Sequence, residues 1–219
     1  MSHIARNCLF GSVFVLAALA GPLTPACAST GQQHNQGVAF VLDHMKAVPP
    51  KSELDADVVK LTLKFCRKSG LDCGRPVLPE FPLQAPLLIG SIEGSAQFKI
   101  ECRALVSTVR AAKDVPSLEV SLAALEQQAA TVLDAREKKR FSDAVSIASA
   151  SARLWAPVAL GGRGGGKIII PPGGKPPSDI DWREVAVADA IGCAIFFEIG
   201  CIPGAVALSV ADIVHQLLF

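Results

Sequence analysis

Apolar residues recur at helical spacing along most of this chain. Leu54, Val58, Leu61 and Phe65 mark one face of a helix that Ser52 would cap, with Asp55 and Asp57 near its positive end and Gly70 at its exit. A short apolar run, Val38 to Val48, precedes it and stops at Pro49-Pro50; residues 29–37 ahead of that run are polar. Phe98, Cys102, Leu105 and Val109 define a further helix over about 96–113. Leu118, Leu122, Leu125, Ala129 and Val132 define another. Phe141, Val145, Ala148, Ala152 and Trp155 continue as helix until Pro157. Residues 71–94 carry Pro76, Pro79, Pro82 and Pro86 and read as an extended connection, in which Leu87-Leu88-Ile89 suits a short strand without a sheet. The charge cluster Arg136 to Arg140 reads as a solvated helix face. Each helix has one apolar stripe and must pack on another, so residues 29–157 predict a small all-α bundle.

The pattern changes after Pro157. Residues 158–177 are rich in glycine and proline and read as a linker. Residues 178–219 form a tail of mostly small and apolar residues. Ala190 to Ala211 contains a single charge, Glu198, and is long enough to cross a bilayer, which takes about 20 residues. Small residues recur four apart, as in Ala188/Gly192 and Ala207/Ala211, a spacing that lets helices approach closely in membranes. Gly200, Pro203 and Gly204 interrupt the run, and Glu198 would cost about 2.5–3.5 kcal/mol near a bilayer centre. The tail therefore predicts a helical hairpin or a kinked helix. Its expected contacts with a membrane or partner are Trp182, Gly192, Phe196, Phe197, Gly200, Pro203 and Gly204. The alternative is a hairpin buried on the bundle.

The amino terminus has a different purpose. Arg6, the apolar stretch Cys8 to Ala20, and the small-residue site Ala26-Cys27-Ala28 have the layout of a cleaved secretory signal over residues 1–28. Lipoprotein processing at Cys27 competes, but Leu23-Thr24-Pro25-Ala26 fits a lipobox poorly. The mature chain would begin at Ser29 in the periplasm or outside the cell. With 21 Lys+Arg against 20 Asp+Glu, the chain lacks the basic excess of a nucleic-acid binder. A hydrophobic fraction of 50% and mean hydropathy of +0.39 argue against global disorder.

Export changes the reading of the cysteines. Cys66, Cys73, Cys102, Cys193 and Cys201 remain after cleavage, and an oxidising compartment makes disulfides plausible. The odd number leaves at least one thiol outside any intramolecular bridge. The preferred pair is Cys66–Cys102, which would join two predicted helices across the proline-rich connection. No C-x2-C pair occurs, so a zinc site is not predicted.

Candidate chemistry is sparse. Gly161, Gly166 and Lys167 fit G-x4-G-K, but Ile168 replaces the magnesium-binding hydroxyl, and Pro171-Pro172 cannot open the helix that a phosphate loop needs. Ser91 sits one place early for a nucleophile elbow in Gly90-Ser91-Ile92-Glu93-Gly94. His34, Asp43 and His44 lack a metalloenzyme spacing. No catalytic residue, metal or cofactor is assigned.

Three patches resemble a family of uncharacterised secreted bacterial proteins that carry an early H-N-x-G-(L/V)-x-(Y/F)-V segment and a Gly/Ala-rich hydrophobic tail. They are His34-Asn35-Gln36-Gly37-Val38-Ala39-Phe40-Val41, then Ser151-Ala152-Arg153-Leu154-Trp155, then Asp181-Trp182-Arg183-Glu184-Val185 with Asp189-Ala190-Ile191-Gly192 and Pro203-Gly204-Ala205. The tail departs from that pattern at Phe196, Phe197 and Glu198. The resemblance implies export and architecture, and no activity. The expectation is thus an exported, non-enzymatic bacterial protein whose tail associates with a membrane or a partner protein. Nucleic acid and small-molecule ligands are not inferred. The alternatives are a structural or binding module with its tail in its own core, or an enzyme with an unrecognised site.

Overall fold

The computed structural model describes residues 29–45, 51–71, 73–79, 83–165 and 180–218. The leader 1–28 and linker residues 166–179 lie outside the described residues. The described chain is all helical, without a strand: α1 (Thr30–His44), α2 (Lys51–Ser69), α3 (Ala85–Ser91), α4 (Ala96–Ala111), α5 (Val115–Val132), α6 (Ala135–Trp155), α7 (Trp182–Ile195) and α8 (Cys201–Leu218).

The helices begin where caps are available. Ser29 and Gln32 form a reciprocal capping box, so α1 starts at Thr30 and takes in the polar stretch expected to precede it. Ser95, Asp114 and Asp134 accept bonds from the backbone N–H groups of Phe98, Ser117 and Glu137 at the starts of α4, α5 and α6. The expected strand at Leu87-Leu88-Ile89 is instead helix α3, which opens with Pro86 in its first turn, where a missing N–H costs nothing. Val132, expected inward, is half exposed, and Leu133 just beyond α5 is buried in its place.

The tail lies inside the molecule. Every residue from Val185 to Ala194 is buried, as are Ala205 to Val214. α7 packs against α3, α4, α6 and α8, while α8 packs against α1, α2, α6 and α7. One continuous apolar core includes residues of the first six helices and of both tail helices. The expected appendage is therefore corrected. A helix that is apolar all round can be shielded by lipid or by other helices, and here the amphipathic stripes of the surrounding helices do the shielding. No helix among the described residues is long and apolar enough to cross a membrane.

The small residues of the tail serve this packing. A Cβ on Gly192 would stand 2.8 Å from the Gly204 carbonyl oxygen, and one on Gly204 would stand 2.6 Å from that of Gly192. The two helices thus meet backbone to backbone at this crossing. Gly200 turns the chain with φ of +113°, and Pro203 is buried in the first turn of α8. Cys193 and Cys201 close the hairpin with a disulfide.

The preferred Cys66–Cys102 bridge is also corrected. Gly70, in the left-handed region at φ +66°, reverses the chain after α2, and Leu71 N–H bonds back to the Cys66 carbonyl. That reversal brings Cys73 to Cys66, and these two form the disulfide. Cys102 is a buried free thiol, which burial pushes up to about 12.

The charge cluster on α6 is only partly solvated. Arg136, Lys138 and Lys139 are exposed, but Glu137 and Arg140 are buried. Glu137 accepts from the Ser95 backbone N–H at 2.6 Å and from its hydroxyl at 2.9 Å. Arg140 donates to the carbonyls of Ala194 and Glu93 and stacks 4.7 Å from the centre of the Phe98 ring. It therefore satisfies the carbonyl end of α7, where a cation is favoured.

Candidate functional site

Two helices bring a histidine and an aspartate together in the core. α1 presents His34 inward, flanked by Gly31 and Gly37, whose missing side chains admit neighbouring helices. A Cβ on Gly31 would lie 2.6 Å from Ala150 Cβ of α6, and one on Gly37 would lie 2.5 Å from Val206 Cγ2 of α8. α7 presents Asp189. His34 Nε2 stands 3.3 Å from Asp189 Oδ2, and both side chains are fully buried. The approach is an ion-pair contact whose angle falls short of a hydrogen bond, so neither Asp189 oxygen has a hydrogen-bond donor among the described residues.

Hydrogens can be assigned from the partners. Asn35 Nδ2 donates to the Ala150 carbonyl at 2.9 Å, which turns Asn35 Oδ1 toward His34 Nδ1 at 3.0 Å. Nδ1 must then carry a hydrogen. Nε2 faces the Asp189 carboxylate. Asp212 on α8 is also buried, and Gln216 Nε2 donates to its Oδ2 at 2.7 Å. Burial pushes the Asp212 carboxyl up to about 7; its hydrogen bond from Gln216 opposes this, and the Asp189 charge adds to it. Ser209, one turn before Asp212, is buried with no partner for its hydroxyl among the described residues.

Above Asn35 a groove of about 650 Å³ runs between α1 and α6. Its lining includes Gln32, Asn35 and Gln36 from α1, Ser149 and Arg153 from α6, and Arg163 from the turn that follows. Asn35 is the link between groove and buried pair. The geometry does not make a hydrolytic site. One ring nitrogen of His34 faces Asp189 and the other Asn35, leaving neither to take a proton from a groove hydroxyl. No cluster of three metal-ligating side chains occurs among the described residues.

The glycine-rich stretch is no phosphate cradle either. The N–H groups of Gly162, Arg163, Gly164 and Gly165 donate to the carbonyls of Pro157, Arg153, Ala156 and Leu154. Those amides close the end of α6 instead of facing a ligand. The rest of the G-x4-G-K sequence, Gly166 and Lys167, lies outside the described residues.

The residues expected to touch a membrane or partner have other surroundings. Trp182, Gly192, Pro203 and Gly204 are buried against the protein's own helices, and Phe196, Phe197 and Gly200 are partly buried. Phe197 lies under Lys139 and Arg140 at 5.7 and 5.8 Å. Asp43 and His44 stay exposed on α1, His44 stacked on Phe40. Of the histidines, aspartate and serine considered for chemistry, His34 alone reaches the core, and its partner Asp189 is not among those candidates. The available signal is one acid within the otherwise apolar run Val185–Ala194, which must have a partner if that run is buried.

Searches of family models, curated proteins and solved structures find no match to this chain.

Proposed function

We propose that this protein is an exported, non-enzymatic helical binding module whose apolar tail is its own core. The observation that carries this reading is the complete burial of residues 185–194 between other helices. A segment that already shields its apolar surface has little left to offer a bilayer. The two disulfides support an oxidising destination, and they fit the secretory leader read from the sequence. The resemblance to secreted proteins with an early H-N-x-G segment points the same way. The buried His34–Asp189 pair joins α1 to the tail and serves architecture.

The test uses mature protein, residues 29–219, in flotation with vesicles of phosphatidylcholine and phosphatidylglycerol. The protein is expected to stay in the dense fraction, and deletion of 178–219 is expected to abolish cooperative melting. Flotation with the vesicles, together with a cooperative melt of the truncated chain, would overturn the proposal.

A further inference from the structure

The segment Gly161–Gly165 reads Gly-Gly-Arg-Gly-Gly. Gly161, Gly164 and Gly165 have φ of +85°, +70° and +77°, a region that favours glycine. The turn is held by its five backbone N–H groups on carbonyls of residues 153–158. The Arg163 side chain therefore plays no part in shaping the turn, and the turn delivers it to the groove. The Arg163 backbone N–H donates to the Arg153 carbonyl at 2.9 Å, which places the two arginines on one rim.

The charges on this rim are not balanced. Arg153 gives its Nε to Glu119 of α5, which orients its guanidinium. Arg163 has no ion-pair partner among the described residues, and no Asp or Glu is among the described residues lining the groove. Glu119 and Glu126 line a neighbouring cleft, on the α5 side of α6. On the α1 wall, Gln32 and Gln36 are one helical turn apart and exposed, and Ser149 adds a hydroxyl from α6. Guanidinium groups match planar or tetrahedral oxyanions, and carboxamides and hydroxyls suit the neutral polar groups beside them. A groove of about 650 Å³ has room for more than the anion itself.

We propose that the groove between α1 and α6 binds a small ligand bearing an oxyanion group, a carboxylate or a phosphate, with Arg163 as the main anchor and Arg153 beside it. This rests on the binding-module reading and gives it a ligand class. The ligand's far end lies along Gln32 and Gln36, and Asn35 carries its presence to the His34 ring.

The experiment titrates disulfide-intact mature protein, by calorimetry and by NMR of the histidine ring signals, with three probes: inorganic phosphate, N-acetyl-trialanine with a free carboxylate, and the same peptide as its amide. Saturable binding of phosphate or of the free acid is expected, with the amide much weaker and the His34 signals shifting on saturation. Whichever anion saturates at lower concentration identifies the source of the oxyanion. R163Q is expected to weaken binding by at least about tenfold, the loss of one charge-assisted contact, while its melting temperature stays at the wild-type value. Absence of saturable binding of both anions, equal binding of acid and amide, or unchanged affinity in R163Q would each overturn the proposal. Such a failure leaves the tail-as-core reading untouched, because that is judged by vesicle flotation and truncation.

Discussion

His34 Nε2 and a carboxylate oxygen of Asp189 stand 3.3 Å apart, with neither side chain open to solvent. The pair ties the first helix of the fold to the helix at its centre. Removing one member leaves the other polar group buried without its partner, which typically costs about 3–5 kcal/mol where the pair is ionic. H34A and D189A are each expected to destabilise the protein by about that amount in urea denaturation. The double variant H34A/D189A should lose clearly less than the sum of the single losses, because it leaves neither polar group orphaned. An additive double variant would show that the two side chains do not act as a pair.

Asp212 gives the core a pH dependence of known sign. Its carboxyl is pushed from 3.8 to about 7 in the folded protein, chiefly by burial. A raised value means that folding favours the protonated form. The resulting stability is fully present below about pH 4 and is lost as pH rises through 7. About 3 units at 1.36 kcal/mol each set the scale at about 4 kcal/mol. D212N removes this titration and keeps an acceptor for Gln216. Compared with D212N, the wild type is expected to lose stability between pH 5 and pH 8, measured by urea denaturation at both. A constant difference across that window would show that Asp212 does not titrate there.

Helix positions were legible in the sequence where an apolar stripe met polar flanks, as in α4, α5 and α6. The stripe carries the information because one face must be buried and the other wetted. α1 was read too short because its inward face is made of Gly31, His34 and Gly37, which do not register as apolar. Arg140 and Glu137 were read as surface for the complementary reason: their partners, Ala194 and Glu93 carbonyls and the Ser95 amide, are distant in sequence. The tail posed a harder problem. A helix with a single acid among apolar residues has no polar face to say what surrounds it, so the pattern of Val185–Ala194 does not separate lipid from protein. The Asp189 partner on α1 and the Gly192–Gly204 crossing decide it, and both depend on tertiary placement. The groove was invisible for the same reason, since Gln32, Ser149 and Arg163 come from three separate segments.

The cysteines should separate into two classes. Cys66–Cys73 and Cys193–Cys201 are bridged, and Cys102 is buried and free. Mass analysis of alkylated mature protein without reductant should find no modified cysteine under native conditions and one, Cys102, in denaturant. The high value of its thiol, about 12, keeps the reactive thiolate scarce in the folded state. For a loop spanning 8 residues between Cys193 and Cys201, chain entropy puts the contribution at about 2.5 kcal/mol, so C193S/C201S should melt earlier but still fold. A native protein that takes up label at Cys102 would contradict its burial.

The hairpin crossing gives the sharpest test of packing. In an ordinary exposed helix, replacing glycine by alanine stabilises by about 1 kcal/mol. At Gly204 the new Cβ would meet Phe196 Cβ at 2.5 Å and the Gly192 carbonyl oxygen at 2.6 Å, so α7 and α8 would have to separate. Overpacking of this kind costs about 1–3 kcal/mol, which outweighs the propensity gain. G204A should therefore lower the melting temperature by several degrees, at about 2–4 °C per kcal/mol for a chain of this size. Gly90 is the matched control: it lies in α3, and a Cβ there would meet nothing within 4 Å. G90A is expected to leave the melting temperature level or raise it slightly. Equal effects of the two substitutions would mean that the helices of the tail do not approach each other at Gly204, and the hairpin would lose its place as the centre of the core.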